Sequence, residues 1–300
     1  MGSPLRLTVV GLAPAAARRA WRVVVEDVER SEAALSRWRA ESALSRLNAT
    51  AGSDTWADVD RRLYVALSAA ARAQLLTDGR FDARVISRLE ALGERAGVPL
   101  PEIPVIRNEP WLERDPRGRR VRLAAPIDSG GIGKGLAVRW AAAALARAGL
   151  SGAGLLLEAG GDLFAKGQPP EGTGWRIGIE ERAVDDEPLA VIEIERGAVV
   201  TSSTAVRRWS APDGATIHHL IDPATGDPGG DGLQAVTLLA SDPAWAEVWS
   251  KALFLAGPRR IADEARARGF AAWWVEADGT LHMSPAARAV TIWTRADRAA

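Results

Sequence analysis

The sequence predicts an α+β fold: a mixed, largely antiparallel sheet packed with helices in two intimately packed lobes. Three observations carry this prediction. The chain has 300 residues, which exceeds one minimal domain and allows a sizeable core. Its first half is dominated by long segments with apolar residues at helical spacing. Its second half is dominated by short apolar, β-branched runs separated by glycine-rich loops.

The elements of the first half follow from local signals. Leu5 to Val10 is β-branched and predicts a strand, and Pro14 opens a helix that runs to about Trp38. A second helix is predicted from about Val59 to Leu76, after a polar loop that contains one helical turn, ESALSRLNATAGSD. Another short helix is expected after TDGRFDARV.

Residues 95–125 are rich in proline and arginine. Prolines recur there every few residues, and the segment also carries ERDPRGRR. Such spacing interrupts helices and central strands, so we expect an excursion or hairpin within one domain that spans residues 1–300.

Strands and helices alternate irregularly in the second half. A helix is predicted from Leu136 to Ala148, and two more from Pro243 to Ala256 and from Pro258 to Arg268. The predicted strands are the runs GLLLEA, WRIGIE, AVIEIE, AVVTSS and Val236 to Ala240, with two closing strands around Asp278-Gly279.

The composition excludes several classes of protein. Lysine plus arginine and aspartate plus glutamate both count 38, so nucleic acid is disfavoured as the main partner. Cysteine is absent, which excludes disulfides, thiolate nucleophiles and cysteine-bound metals. No run reaches the roughly 18 apolar residues of a membrane span. The apolar stretch Leu7 to Ala17 is a poor signal peptide, so a cytoplasmic location is expected, with export open if the true start lies upstream of Met1.

The segment IDSGGIGKG, Ile127 to Gly135, precedes an alanine-rich helix. Backbone amides at a helix start face anions, so the segment is a candidate phosphate cradle with Lys134 supplying charge. It is not a P-loop, because Asp128 stands at the first glycine position and Gly135 follows the lysine. A glycine-rich turn that enters a packed helix is the structural alternative.

The segment EAGGDLFAKG, Glu158 to Gly167, follows a buried apolar run. Its glycines, Gly160 and Gly161, predict either a tight turn beside a ligand or a bulge, with Asp162 directly after them.

The segment from Thr201 to Pro228 holds the adjacent histidines His218 and His219. On a strand their side chains point in opposite directions, so only one of them can face a site. A turn through Asp222 in IDPATG could hold a carboxylate next to His219, whereas a satisfied core histidine is the alternative reading.

Glu247 and Lys251 stand four apart on a predicted helix and therefore share one face. Either they form a surface ion pair or both belong to a site beside the glycine loop. Lysine occurs only at Lys134, Lys166 and Lys251, so the chain rarely uses lysine for surface charge. A lysine kept under that bias indicates either a place where a compact ammonium is needed or a chance occurrence.

In this order the motifs resemble the ApbE family of FAD:protein FMN transferases over nearly the whole chain. The Met-Gly-Ser opening, LSRWRAESALSRLN, GRFD, IDSGGIGKG, LEAGGD, TSS, HHLIDPATG and the ALFLAG helix each resemble a family element. The resemblance implies transfer of FMN from FAD to a threonine or serine hydroxyl of a partner flavoprotein, with release of AMP. Such a transfer depends on in-line positioning and charge neutralisation rather than on a covalent nucleophile.

The resemblance also assigns residues to roles. It implies FAD contacts from Met1, Trp38, Phe81, Asp82, Asp128, Lys134, Gly160, Gly161, Asp162, Thr201 and His219. It implies catalytic roles for Lys134, Glu247 and Lys251. A magnesium ion would be held by the Gly131 carbonyl and Glu247.

The sequence departs from the family pattern at this metal. Family members usually carry aspartate where Glu247 stands and threonine where Lys251 stands. Glutamate can bind magnesium, but an ammonium has three donors and no acceptor. We therefore expect Lys251 to weaken the metal site or to replace part of the ion's charge.

Two other functions stay open at this stage: a relative that binds or hydrolyses FAD without transfer, and an unrelated nucleotide-binding scaffold. Thr216 lies in DGAT, which resembles a flavin acceptor sequence, but Asp213-Gly214 predicts a hairpin turn there. We expect no flavin on Thr216.

Overall fold

A computed structural model of the chain describes residues 3–94, 100–101, 109–180, 187–210, 214 and 216–298. The helices in these ranges are α1 (Pro14–Leu35), α2 (Ala43–Asn48), α3 (Arg61–Leu76), α4 (Ile86–Ala91), α5 (Gly133–Arg147), α6 (Pro243–Ala256), α7 (Pro258–Arg268) and α8 (Pro285–Arg288). Single 3₁₀ turns cover Ala83–Val85 and Arg295–Arg298. No helix in the described part of the chain is long and apolar enough to cross a membrane.

The strands are β1 (Leu5–Val10), β2 (Ala57–Asp58), β3 (Leu112–Asp115), β4 (Arg120–Leu123), β5 (Gly154–Ala159), β6 (Asp162–Gly167), β7 (Trp175–Ile179), β8 (Ala190–Ile194), β9 (Arg196–Ser203), β10 (Arg208–Ser210), β11 (Thr216–His218), β12 (Leu233–Ala240), β13 (Ala271–Glu276), β14 (Leu281–Met283) and β15 (Thr291–Thr294). Within the described ranges, the largest sheet has the order β1-β5-β6-β9-β12-β13-β14, and every neighbouring pair in it is antiparallel. Smaller sheets have the orders β15-β8-β7, β2-β4-β3 and β10-β11. The predicted α+β class with a largely antiparallel sheet is confirmed.

The large sheet lies between helices on one face and the β15-β8-β7 sheet on the other. Alternation along each strand produces this layering, because successive side chains point to opposite faces. In β9, Val200 packs with residues of α1 and α5, whereas Val199 packs with residues of β7 and β8. In β13, Trp274 packs towards α6 and α7, and Trp273 packs towards the small sheet.

Helix starts are set by local chemistry. Pro243 stands at the first position of α6, and the Asp242 side chain accepts from the backbone N–H groups of Ala244 and Trp245. Asp60 caps α3 in the same way through Leu63 N–H. These signals lie in the sequence itself, and the predicted bounds of α6 and α7 match the observed ones.

Other bounds differ from the prediction. The first helix ends at Leu35 instead of Trp38, because Ser36 is extended and its carbonyl accepts from the Ser42 hydroxyl of the next turn. The glycine-loop helix α5 begins at Gly133, three residues before the predicted start, and its Gly135 N–H donates to Glu247 of α6. Strand β6 and the closing elements α8 and β15 were not predicted.

Part of the predicted excursion over residues 95–125 is described. It contains the β3–β4 hairpin, which pairs with β2, and Trp111, which is buried. Residues 95–99 and 102–108 lie outside the described residues, so the excursion within a single domain of residues 1–300 stays a prediction.

Candidate functional site

A cleft that is open to solvent lies where the glycine loop, α6 and the segment after β11 meet. Its wall contains several residues that the sequence pointed to: Phe81, Asp82, Asp128, Gly131, His219 and Lys251. It also contains Arg80 and Arg207, which sequence analysis did not single out. Met1 lies outside the described residues.

The glycine loop is shaped by Asp128 and Phe81. Asp128 donates its backbone N–H to Ala83 O at 2.7 Å, and its Oδ1 accepts from Gly130 N–H at 2.9 Å. A Cβ atom on Gly131 would lie 2.5 Å from a ring carbon of buried Phe81. The loop can therefore lie on the phenyl ring only because residue 131 has no side chain.

Asp82 is held by neighbours on the same wall. Its carboxylate pairs with Arg84 at 2.7 Å and accepts from Gln74 Nε2 at 2.8 Å. These bonds to Arg84 and Gln74 hold Asp82 in place, and with it the wall beside Phe81.

Gly160 and Gly161 form a two-residue turn between β5 and β6, with φ angles of 61° and 91°. Positive φ at both positions is typical of the tight hairpin turn, so the bulge alternative is excluded. The turn lies against the start of the chain, where Gly160 N–H donates to Pro4 O at 2.9 Å. Its consequence for the site is to place Asp162 at the first position of β6.

Four charged side chains lie close together beside the cleft, Lys251 on its wall and the other three next to it, and we call them the charge cluster: Lys134, Asp162, Glu247 and Lys251. Lys134 Nζ lies 2.5 Å from Asp162 Oδ2. Glu247 Oε2 accepts from Gly135 N–H at 2.8 Å, and Glu247 Oε1 lies 3.5 Å from Lys251 Nζ. With two cations and two anions, the cluster has no net charge.

Hydrogen bonds tie the charge cluster to the large sheet. Thr201 N–H donates to Asp162 Oδ1 at 3.3 Å, and the Thr201 and Thr237 hydroxyls are 2.9 Å apart. On α6, the Ser250 hydroxyl donates to Glu247 O at 3.0 Å and lies 2.8 Å from that of Ser202. Strands β6, β9 and β12 therefore support the cluster from behind.

The environment shifts two pKa values in the cluster. Glu247 is fully buried, and this burial raises the pKa of its carboxyl against the opposing effect of Lys251 and Lys134. For Lys134, burial is the strongest single influence and lowers the pKa, but attraction to Asp162 and Glu247 outweighs it. The net effect is a raised pKa for Lys134, so its ammonium stays charged at neutral pH.

The imidazole of His219, on the cleft wall, is uncharged at neutral pH. Its partial burial, together with the charges of Arg207 and Lys251, lowers its pKa to about 3. Its Nδ1 lies 3.3 Å from Arg207 O. The tautomer that satisfies this contact carries its proton on Nδ1, which leaves Nε2 as an acceptor.

His218 points away from this cleft, as strand alternation predicts. Its ring packs edge-on against Phe254 with centroids 6.0 Å apart. It lines a second cavity together with Thr216 and Asp231. Thr216 is therefore not on the wall of the cleft that holds His219 and Lys251.

A second set of charged residues lies at the cleft's edge, and we call it the rim network: Arg37, Glu94, Asp128 and Arg207. Glu94 is buried, pairs with Arg37 and accepts from Arg207 Nε at 2.6 Å. Arg37 Nε also lies 3.5 Å from Asp128 Oδ2. Among 35 arginines, nothing in the sequence distinguishes Arg37 and Arg207 from ordinary surface charges.

Trp38 lies on this rim. Its side chain is among the exposed large hydrophobic ones, at 49% exposure, and the Arg37 guanidinium lies 4.0 Å from its ring centroid. The Arg207 guanidinium is 5.9 Å from the same ring. An exposed indole beside a cleft offers a flat face on which a planar ring can stack.

Metal binding at the charge cluster is opposed by its donor set. The described part of the chain holds no group of three or more His, Asp or Glu side chains placed to hold a metal ion. One Glu247 oxygen already accepts from Gly135 N–H, and the other faces an ammonium. Two like unit charges 4 Å apart near a protein surface repel each other by about 4 kcal/mol. A dication at that distance from an ammonium would be repelled about twice as strongly.

Comparison with known proteins identifies the family. The ApbE family model matches residues 1–274. The FAD:protein FMN transferase of Klebsiella pneumoniae (strain 342) is 26% identical over 93% of this chain and 83% of its own length. That of Treponema pallidum (strain Nichols) is 30% identical over 86% of this chain and 77% of its own length.

Solved structures agree over nearly the full length. The crystal structure of the ApbE protein from Thermotoga maritima matches with a TM-score of 0.81 at 27% identity, covering 96% of both chains. The flavin transferase ApbE from Vibrio cholerae matches in fold with a TM-score of 0.78, over 97% of this chain and 96% of its own. Agreement in sequence and fold over nearly the same residues establishes that this chain belongs to the ApbE family.

Proposed function

We propose that the chain is a FAD:protein FMN transferase, which moves FMN from FAD to a threonine or serine hydroxyl of a partner flavoprotein and releases AMP. The cleft carries this proposal, because it combines a glycine loop at a helix start with an ammonium and a neutral histidine. The curated relatives bear that activity in their names and match most of this chain.

The chemistry is a phosphoryl-group transfer. The acceptor hydroxyl oxygen forms a bond to the phosphorus next to riboflavin, the anhydride bond to AMP breaks so that AMP leaves, and the hydroxyl proton passes to water. The protein's part in such a transfer is to align the groups and to stabilise negative charge. Lys134, Glu247 and Lys251 are proposed for this role: Lys251 faces the cleft, Glu247 fixes its position, and Lys134 pairs with Asp162 next to them.

His219 is proposed as a binding group rather than as the base. A pKa of about 3 makes its Nε2 a weak proton acceptor at neutral pH, although it can still accept a hydrogen bond. It can therefore orient FAD or the acceptor hydroxyl without carrying a charge of its own.

The further FAD contacts are proposals that rest on the family resemblance and on position. Phe81, Asp82 and Asp128 line the cleft, and Trp38 lies on its rim. Asp162 and Thr201 lie next to the cleft wall, and the Gly160-Gly161 turn lies next to Asp162. Met1 is proposed on the family resemblance alone.

Magnesium, which the family resemblance implies with Gly131 and Glu247 as ligands, does not fit the charges present. The charge cluster already balances Glu247 and Asp162 with two ammonium groups. No step of the proposed reaction is therefore assigned to a metal. The cytoplasmic location stays a prediction from the sequence.

The test is incubation of the protein with FAD and a candidate acceptor, followed by mass analysis of the acceptor and measurement of AMP. Transfer predicts covalent FMN on the acceptor, one AMP for each FMN attached, and no labelling of an acceptor whose hydroxyl residue is replaced by valine. Release of AMP with free FMN would show hydrolysis instead. Absence of both products would contradict the proposal.

A further inference from the structure

Resting on the proposed function, we propose that the cleft binds the pyrophosphate of FAD without a divalent cation, with the ammonium of Lys251 against the phosphate oxygens. The wall of the cleft, the charge cluster beside it and the placement of the three lysines carry this inference.

The carboxylate of Glu247 is already occupied. It is 0% exposed, one of its oxygens accepts from the first turn of α5, and the other faces Lys251. A dication bound to this carboxylate would lie close to the Lys251 ammonium, which repels it. Glu247 therefore serves as the counter-ion that fixes Lys251 on α6.

Lys251 has donors left for a ligand. An ammonium donates three hydrogen bonds, and the contacts among the described residues give Lys251 one acceptor, Glu247 Oε1, at the long distance of 3.5 Å. Its side chain is 16% exposed and lies on the cleft wall. The remaining N–H groups are available to an anion in the cleft, where bonds between charged groups are strong.

The charge balance favours an anion over a cation. The charge cluster sums to zero before any ligand binds, so it offers no excess negative charge for a dication. On the cleft wall, Arg80 and Arg207 add positive charge beside Lys251, although each is paired with a glutamate. The two carboxylates of the wall, Asp82 and Asp128, are in turn paired with Arg84 and Arg37. A pyrophosphate adds the negative charge that such a wall stabilises.

The placement of lysine supports the same reading. Two of the three lysines belong to the charge cluster, and the third, Lys166, is exposed on β6. Lys166 therefore provides a matched control: the same side chain, removed from the same protein, outside the cleft.

The experiment measures FAD affinity by flavin fluorescence in EDTA and in excess Mg²⁺, for the parent, Lys251→Met, Lys251→Thr and Lys166→Met. The parent and Lys166→Met should bind FAD equally well, within about twofold, in both conditions. Lys251→Met should weaken binding about tenfold to a hundredfold in both, as expected for one lost bond to a charged group. Lys251→Thr should regain affinity only with Mg²⁺, because a hydroxyl can ligate the ion.

A second measurement needs no variant. Binding of Mn²⁺ to the parent, followed by electron paramagnetic resonance with and without FAD, should show no ion held by the protein. Tight stoichiometric Mn²⁺ binding, or a tenfold loss of FAD affinity in EDTA, would overturn the inference while leaving the proposed function standing. A parent that binds no FAD in either condition would instead overturn the proposed function.

Discussion

The charge cluster and the rim network each contain a buried glutamate near two positively charged side chains, but they differ in the elements that supply those side chains. Glu247 is held by regular elements, because α5 supplies a backbone N–H and α6 supplies Lys251. Glu94 instead joins arginines from two loop segments, Arg37 and Arg207. The comparison indicates that the inner cluster is fixed by the folded core, whereas the rim depends on side chains that meet only when distant loops are in place.

The largest expected effect is at Glu247. Glu247→Ala removes the partner of Lys251 and of Gly135 N–H inside the protein, and breaking a buried pair costs about 3–5 kcal/mol. We expect the free energy of unfolding in urea to fall by that amount.

Glu26→Ala is the matched control for Glu247→Ala. Glu26 pairs with Arg30 at the same i,i+4 spacing but is exposed, so a loss below about 0.5 kcal/mol is expected. Equal losses in the two variants would show that burial does not distinguish the pairs.

A smaller effect is expected at Glu94. Glu94→Gln keeps the shape but removes the charge between Arg37 and Arg207, while Arg37 retains Asp128 at 3.5 Å. We expect the free energy of unfolding to fall by about 2 kcal/mol, the usual contribution of a hydrogen bond to a charged group, because Arg207 loses its carboxylate partner while Arg37 keeps Asp128. A loss as large as that of Glu247→Ala, measured in the same urea series, would show that the rim is as rigid as the charge cluster.

The pH dependence of stability tests His219. Its folded pKa of about 3 lies below the usual value near 6.5, so the unfolded chain binds its proton first as pH falls. Its contribution is complete above about pH 6.5 and is lost as pH falls towards 3, with a slope of at most about 1.4 kcal/mol per pH unit.

His219→Gln should flatten the loss of stability between pH 7 and pH 5, measured by urea unfolding at each pH. His282→Gln is the control, since His282 is partly exposed, stacks on Trp274 and pairs with Glu276 outside the cleft. A ring titration near pH 6.5 for His219, observed by NMR, would contradict the neutral state assigned to it.

The smallest effect on folding is expected at Trp38. Because its ring is half exposed, Trp38→Ala should change the unfolding free energy by less than about 0.5 kcal/mol. If the ring stacks on FAD, affinity for FAD should nevertheless fall several-fold in a fluorescence titration, as expected for a lost stacking contact. Trp21→Ala, which removes another exposed indole, should leave FAD affinity unchanged.

The sequence by itself determined the elements whose signals are local. The bounds of β1, α6 and α7 and the opposite directions of His218 and His219 follow from proline, capping residues and period-two alternation. At Gly160-Gly161 the sequence left a tight turn and a bulge open, and the structure has the turn. It also singled out six residues of the cleft wall, through motifs that stand in a family-like order: Phe81, Asp82, Asp128, Gly131, His219 and Lys251.

The tertiary structure decided the electrostatics. The spacing of Glu247 and Lys251 allowed a surface pair as readily as a buried one, and only the packing of α6 against α5 and the sheet buries Glu247 fully. The same holds for Arg207, which joins Glu94 from 113 residues away. Spacing along a helix fixes which side chains are neighbours, but the loss of water around a charge depends on residues far away in the chain.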